Sequence, residues 1–116
     1  NAITNYTTIE IYQNKNVPKI SFIECQLETG RTHQIRVHMS YRGNGILGDK
    51  SYGKSRKKFR KINIDVEKKI LNFNRQALHA KSLGFIHPKN GKRIFFEAPR
   101  PNDFEELIKT LRKSSV

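Results

Sequence analysis

The chain has 116 residues, with 23 lysines and arginines against 10 aspartates and glutamates, a net charge of +13 and a mean hydropathy of −0.72. That length is one domain with room for a modest core, and no apolar run approaches the roughly 18 residues of a membrane span. The surplus of cations suits an anionic partner, whether nucleic acid, an anionic membrane surface or an acidic protein, and does not by itself choose among them.

The first residues, Asn-Ala-Ile-Thr-Asn, show neither a basic nor an apolar leader, so no signal peptide is expected. Asn1 is not a natural start, so sequence upstream of it is expected. The single Cys25 cannot form an intrachain disulfide and fits a reducing cytoplasm.

In chain order, Ile3 to Tyr12 is β-rich and loosely alternating. Asn14 to Pro18 reads as a turn. Ile20 to Leu27 is a second strand, with Phe22 on one face and Ile23, Cys25 and Leu27 on the other. The two strands are predicted to pair as an antiparallel hairpin. Gly30 breaks the strand, and Thr32 is the expected N-cap of a helix from His33 to about Tyr41. Within it Ile35 and Met39 face the core, while His33, Arg36 and Ser40 share another face at steps of three and four. Gly43-Asn44-Gly45 ends that helix.

Lys54 to Lys61 carries six basic residues in eight and reads as a loop or exposed helix start. Val66 to Phe73 is a candidate short helix, and Gln76 to Ile86 has β or mixed character. His87 to Gly91 is a turn, and Arg93 to Glu97 is a strand that pairs back across it. Asn102 or Asp103 is expected to cap a final helix to about Arg112, with Phe104, Leu107, Ile108 and Leu111 as its apolar stripe. The predicted class is α+β, a mostly antiparallel mixed sheet with flanking helices.

The densest chemistry lies between the second strand and the first helix. Thr29-Gly30-Arg31-Thr32-His33-Gln34-Ile35-Arg36-Val37-His38 puts two arginines and two histidines within eight residues. A helix N-terminus presents free N–H groups and the positive end of the helix dipole, and Arg31 can add a bidentate fork. The pattern points to a phosphate or acidic-group site. The histidines do not suggest a metal. His33 and His38 are on different helix faces, and one cysteine supplies little of the set zinc prefers.

These words also resemble the C-terminal signature of the RluA-like RNA pseudouridine synthases. Further matches follow in that family's order: Ile46-Leu47-Gly48-Asp49 before Ser51-Tyr52-Gly53, then Arg75-Gln76-Ala77-Leu78-His79-Ala80 with Leu83, Phe85 and His87-Pro88, then Ala98-Pro99, Pro101 and Asp103-Phe104. The resemblance runs from about Phe22 to Leu111. One departure is Asn44-Gly45, where many members have His-Pro.

The resemblance implies cofactor-free isomerisation of uridine to pseudouridine, with large-subunit ribosomal RNA the favoured substrate. It implies that Arg36 pairs with the family's catalytic aspartate and holds it ionised, since a nearby cation lowers a carboxylate pKa. Arg31, Thr32 and His33 would then meet RNA phosphates at the mouth of the site. The basic run, Lys54, Arg56, Lys57, Lys58 and Arg60, would add phosphate contacts that give affinity and salt dependence without sequence information. Phe59 could stack on a base or join the core. Leu78 or Leu83 would wall a pocket for a flipped uracil. Asp49 is taken as a turn residue.

The family's Arg-Leu-Asp motif is absent. The three aspartates, Asp49, Asp65 and Asp103, all lack that context. The chain is therefore expected to be the C-terminal part of one catalytic domain, residues 1–116, inactive alone and, with sheet edges and apolar surface left open, prone either to non-native self-association or to poor order near Asn1 to Asn16. The alternative is a non-catalytic basic RNA-binding or ribosome-associated module. A basic membrane-surface domain fits less well, for want of an amphipathic basic helix with aromatic anchors.

Overall fold

The computed structural model describes residues 1–14, 17–52, 64–86 and 88–114. Lys54, Arg56, Lys57, Lys58, Phe59, Arg60 and His87 lie outside the described residues. The elements run β1 (Thr4–Asn14), β2 (Val17–Leu27), α1 (Gln34–Tyr41), α2 (Ile64–Leu71), β3 (Ser82–Ile86), β4 (Arg93–Glu97) and α3 (Asn102–Ser114). The α+β class and the antiparallel pairing are both found. The strands form two separate two-stranded sheets, β1–β2 and β3–β4, where sequence reading expected one.

The long hairpin decides what the helices can cover. Its register places Tyr12 opposite Ile20 and Glu10 opposite Phe22, then Thr8 opposite Ile23 and Tyr6 opposite Cys25. The extra residue at Ile9 is a β-bulge, which moves the even-numbered side chains of β1 from one face to the other. Tyr12 therefore shares the face of Ile20 and Phe22, while Thr4 and Tyr6 share that of Leu27 and Cys25. Strand β2 also begins earlier than predicted, at Val17, taking in residues read from sequence as turn.

On the first face sits the core. Tyr12, Val66, Ile70, Phe73, Phe104, Leu107, Ile108 and Leu111 are buried together, with Ile20, Phe22, Leu47 and Ala77 packed against them. All four stripe residues of α3 are buried, as their helical spacing predicts. Each contributes about 1.5–3 kcal/mol by leaving water. The Phe22 and Phe104 rings meet at 5.9 Å, tying hairpin to helix. Outside the core, Arg112 clasps Glu10 from α3 to β1 at 2.7 Å.

Two helix starts differ from expectation. Thr32 does not cap α1. The N-cap is His33, in the left-handed region at φ 51°, with no side-chain cap bond. Gln34 instead ties the helix start to the preceding segment: its Oε1 accepts the Arg31 N–H at 3.1 Å and the Thr29 hydroxyl at 2.8 Å. Its Nε2 donates to the Ile3 carbonyl and Thr4 Oγ1, at 3.0 and 2.8 Å. α3 starts at Asn102, so Asn102 and Asp103 both lie within its first turn. Asp103 Oδ1 still accepts the Phe104 N–H at 2.8 Å.

The end of α1 follows the sequence. Gly43 takes φ 83°. Its N–H reaches the Ser40 carbonyl, and the Asn44 N–H reaches that of Met39, both at 2.9 Å. This is the paired bond pattern of a Schellman motif, and it turns the chain back toward the Gly48-Asp49 turn.

Candidate functional site

Arg36, in the first turn of α1, points its guanidinium at Asp49. Nε donates to Oδ2 and Nη2 to Oδ1, both at 2.9 Å. This is the two-bond fork that arginine makes with a carboxylate. The Asp49 side chain is 0% exposed and that of Arg36 14%. Asp49 Oδ1 also accepts the N–H groups of Ser51 and Tyr52, each at 3.1 Å. Such a short side chain bonding backbone two and three residues ahead is an Asx-type turn. Asp49 is thus both the turn residue expected from the sequence and the carboxylate that fixes Arg36.

The Arg36 hydrogen bonds, aided by those from Tyr52 and Ser51, hold the Asp49 carboxyl below its ordinary pKa of 3.8 against the opposing effect of burial. The same pairing raises that of Arg36. Both groups are therefore charged across the whole physiological range.

Tyr52 closes the cluster. The Arg36 guanidinium lies 4.9 Å from its ring centroid, a cation–π contact. His33 meets the ring edge-on at 5.8 Å, and its Nδ1 lies 3.2 Å from the tyrosine hydroxyl. Ser40 Oγ donates to the Tyr52 carbonyl at 2.6 Å. The face predicted for His33, Arg36 and Ser40 is real, and Tyr52 is what it meets. Sequence reading missed Tyr52 as a site residue. The Gly48-Asp49-x-x-Tyr52 spacing was the available signal, because an Asx turn at Asp49 brings Tyr52 back over α1.

Gly48 allows this turn. Its φ is +78°, and a Cβ there would lie 2.1 Å from the Arg75 carbonyl oxygen. The Ala77 N–H donates to the Leu47 carbonyl at 2.7 Å, so the segment after α2 holds the turn in place.

Of the other predicted residues, Arg31 and Thr32 are exposed beside the N-terminus of α1, and His33 is the one drawn into the cluster. Leu78 is half-buried in the segment between α2 and β3. Leu83 lies on β3 opposite Phe96 and is 61% exposed. His38 and His79 make ordinary hydrogen bonds, to Thr4 Oγ1 at 2.8 Å and the Ala98 carbonyl at 2.9 Å. Among the described residues no group of three or more His, Cys, Asp or Glu side chains is placed to hold a metal ion. No helix among them is long and apolar enough to cross a membrane.

Chemically the cluster presents an oriented cation. Asp49 occupies Nε and one hydrogen of Nη2. Among the described residues the other Nη2 hydrogen and one on Nη1 are left as a second edge, which can receive another carboxylate or a phosphate.

Comparison with known proteins gives a consistent result. The family model described as RNA pseudouridylate synthase matches residues 1–41. Over 98% of its length the chain is 46% identical to an uncharacterized RNA pseudouridine synthase, YlyB, of Bacillus subtilis. It is 47% identical over 98% of its length to ribosomal large subunit pseudouridine synthase D of Zymomonas mobilis, and 44% to the protein of that name in Vibrio vulnificus. The chain spans about a third of each relative: 32%, 33% and 34% in that order.

Proposed function

We propose, on the premise that the chain belongs to the RNA pseudouridine synthases it matches along 98% of its length, that the protein isomerises uridine to pseudouridine in large-subunit ribosomal RNA, in the cytoplasm. Similarity at 44–47% identity to proteins of that name, with the family's motifs in order, carries the reading. The relatives are about three times longer than this chain, and it lacks an Arg-Leu-Asp motif. The nucleophilic aspartate is therefore assigned to sequence beyond these 116 residues.

In this reading Arg36 is the cation that the nucleophile faces. Asp49 anchors one edge of the guanidinium, and Tyr52 lies against its plane. The free edge then receives the incoming carboxylate at a fixed angle, and the positive charge keeps it ionised. The reaction needs no co-reactant. The aspartate attacks the flipped nucleotide, the bond from N1 to the sugar breaks and the base turns; C5 then bonds to the sugar as the bond to the aspartate breaks and the carboxylate is released. C5 then gives up its hydrogen as a proton, and N1 ends protonated. Substrate and product are isomers. Arg31, Thr32 and His33, with Lys54, Arg56, Lys57, Lys58 and Arg60, supply the RNA-facing cations and donors. Leu78 and Leu83 supply apolar wall.

The test is tritium release from RNA labelled at uridine C5. Release by the full-length protein is expected. Arg36→Met should abolish it while RNA binding persists, and the 116-residue chain alone should be silent. No release from any ribosomal or transfer RNA would sink the proposal in favour of a non-catalytic RNA-binding module. Release by the isolated chain would place the nucleophile within it.

A further inference from the structure

On a different face of α1 from Arg36 lies a shallow pocket of about 170 Å³, lined by Thr4, Tyr6, His38, Met39, Tyr41 and Arg42. We propose that this pocket is a second RNA contact, in which the base of one single-stranded nucleotide stacks on Tyr41 while Arg42 and His38 meet its phosphate. The choice of RNA rests on the function proposed above; the pocket itself rests on the geometry.

Tyr41 is 92% exposed, the most open of the large apolar side chains among the described residues. Among the described residues nothing covers this ring at the end of α1. As a platform for a base it exposes a π-face that every nucleobase can use. Arg42, the next residue, is held rather than free. Its Nη1 donates to the Tyr6 hydroxyl at 2.6 Å, and its guanidinium lies 4.9 Å from the Tyr6 ring centroid. Among the described residues nothing else bonds it, so two of the three guanidinium nitrogens remain for an anion, on a side chain already held.

His38 adds an imidazole. Thr4 Oγ1 accepts from Gln34 Nε2 and stands 2.8 Å from His38 Nδ1. With Nδ1 engaged by the threonine, Nε2 is the ring nitrogen left for a ligand. Aromatic platform, ordered arginine and imidazole thus surround one pocket. Against a chain of net charge +13, the occupant of complementary charge and shape is a nucleotide of an unpaired strand. Duplex RNA would keep its bases stacked inside and leave Tyr41 without a partner.

The probe is a fluorescein-labelled, unstructured oligouridine, with a duplex of equal length as reference. Binding to the full-length protein is followed by anisotropy over a range of salt concentration. Tyr41→Ala should weaken oligouridine binding by about 5- to 160-fold, the range of one lost base stack, and leave duplex binding unaltered. Tyr41→Phe, which keeps the ring, should restore the affinity. Arg42→Gln should lower the salt slope by about 0.7, one phosphate contact on a single strand. Unchanged oligouridine affinity in Tyr41→Ala overturns the proposal. So does an equal loss on duplex, or a loss accompanied by a lower melting temperature, since either would make Tyr41 a packing residue. Binding needs no turnover, so this result stands apart from tritium release. A protein that releases tritium normally with Tyr41→Ala inert on RNA affinity would keep the enzyme and lose only this contact.

Discussion

Asp49 and Gln34 are the polar side chains taken out of solvent among the described residues, and each ties the first turn of α1 to a neighbouring segment. A buried carboxylate is tolerated only if its charge is paired and its lone pairs are filled. Asp49 meets both conditions with Arg36, Ser51 and Tyr52. Asp49→Asn keeps the shape and removes the charge, leaving Arg36 facing a neutral amide in a closed site. A loss of about 3 kcal/mol is expected near neutral pH. The folded pKa of Asp49 is depressed, so its contribution is present above the unfolded value, 3.8, and fades as pH falls through the folded one. Urea denaturation should therefore show the variant and parent converging in strongly acid solution. A gap that persists there would mean packing, not charge, explains the loss. Tyr12 works at the other end of the scale. Burial, together with its 2.7 Å hydrogen bond to Glu10, pushes its pKa from 10.0 up to about 12. Its contribution is whole below pH 10 and disappears as pH rises toward the folded value. The change is on the order of 2–3 kcal/mol. Tyr12→Phe should lose that alkaline dependence, and an unaltered alkaline limb in the variant would rule Tyr12 out as its source.

At the scale of elements, what repeats along the sequence was legible and what closes across it was not. The apolar residues of α3 recur at steps of three and four, and that spacing alone forecasts which face is buried. The hairpin strands and the glycine stop of α1 are equally local. Thr32 fails as a cap because the chain enters the helix one residue later, through a left-handed His33. That backbone choice is not contained in residue spacing. Gln34 ties down the segment before it, accepting the Arg31 N–H. The Arg36–Asp49 bond joins residues 13 apart through a turn held by Arg75 and Ala77. No local periodicity contains it. Gly48 is where these segments meet. Gly48→Ala would require φ +78° of an alanine and place Cβ against the backbone of Arg75. It should destabilise by more than the roughly 1–2 kcal/mol of the left-handed conformation alone and loosen Asp49 as well. Gly30 has open space around a built Cβ and no positive φ, so Gly30→Ala serves as the near-neutral reference. Equal melting temperatures for the two variants would show that the turn relaxes without cost.

At the scale of the molecule, the two hairpins leave much apolar surface open. The chain is elongated, 54 × 28 × 23 Å. Ile9 and Ile11 are 50% and 49% exposed beyond the reach of α1, and Leu83, Phe95 and Phe96 are 61%, 62% and 57% exposed on the second hairpin. A two-stranded sheet has two free edges and is marginal alone, and exposed strand edges beside apolar side chains are sites of association. β1 is paired along most of its length and clasped at Glu10 by Arg112, so association of folded chains, not fraying at the N-terminus, is the expected behaviour. Charge opposes it. At +13 copies repel, and that repulsion acts over a Debye length of about 10 Å at 0.1 M salt but only about 3 Å at 1 M. Sedimentation velocity of the 116-residue chain should therefore show mass rising with protein concentration, and rising more steeply as salt is added. A monomer at every salt concentration would mean that the open faces are too dispersed to pair. RNA binding through phosphate contacts has the opposite salt dependence. Adding salt should release RNA and join the chains, and a single titration that follows both signals separates the apolar faces of this molecule from its basic ones.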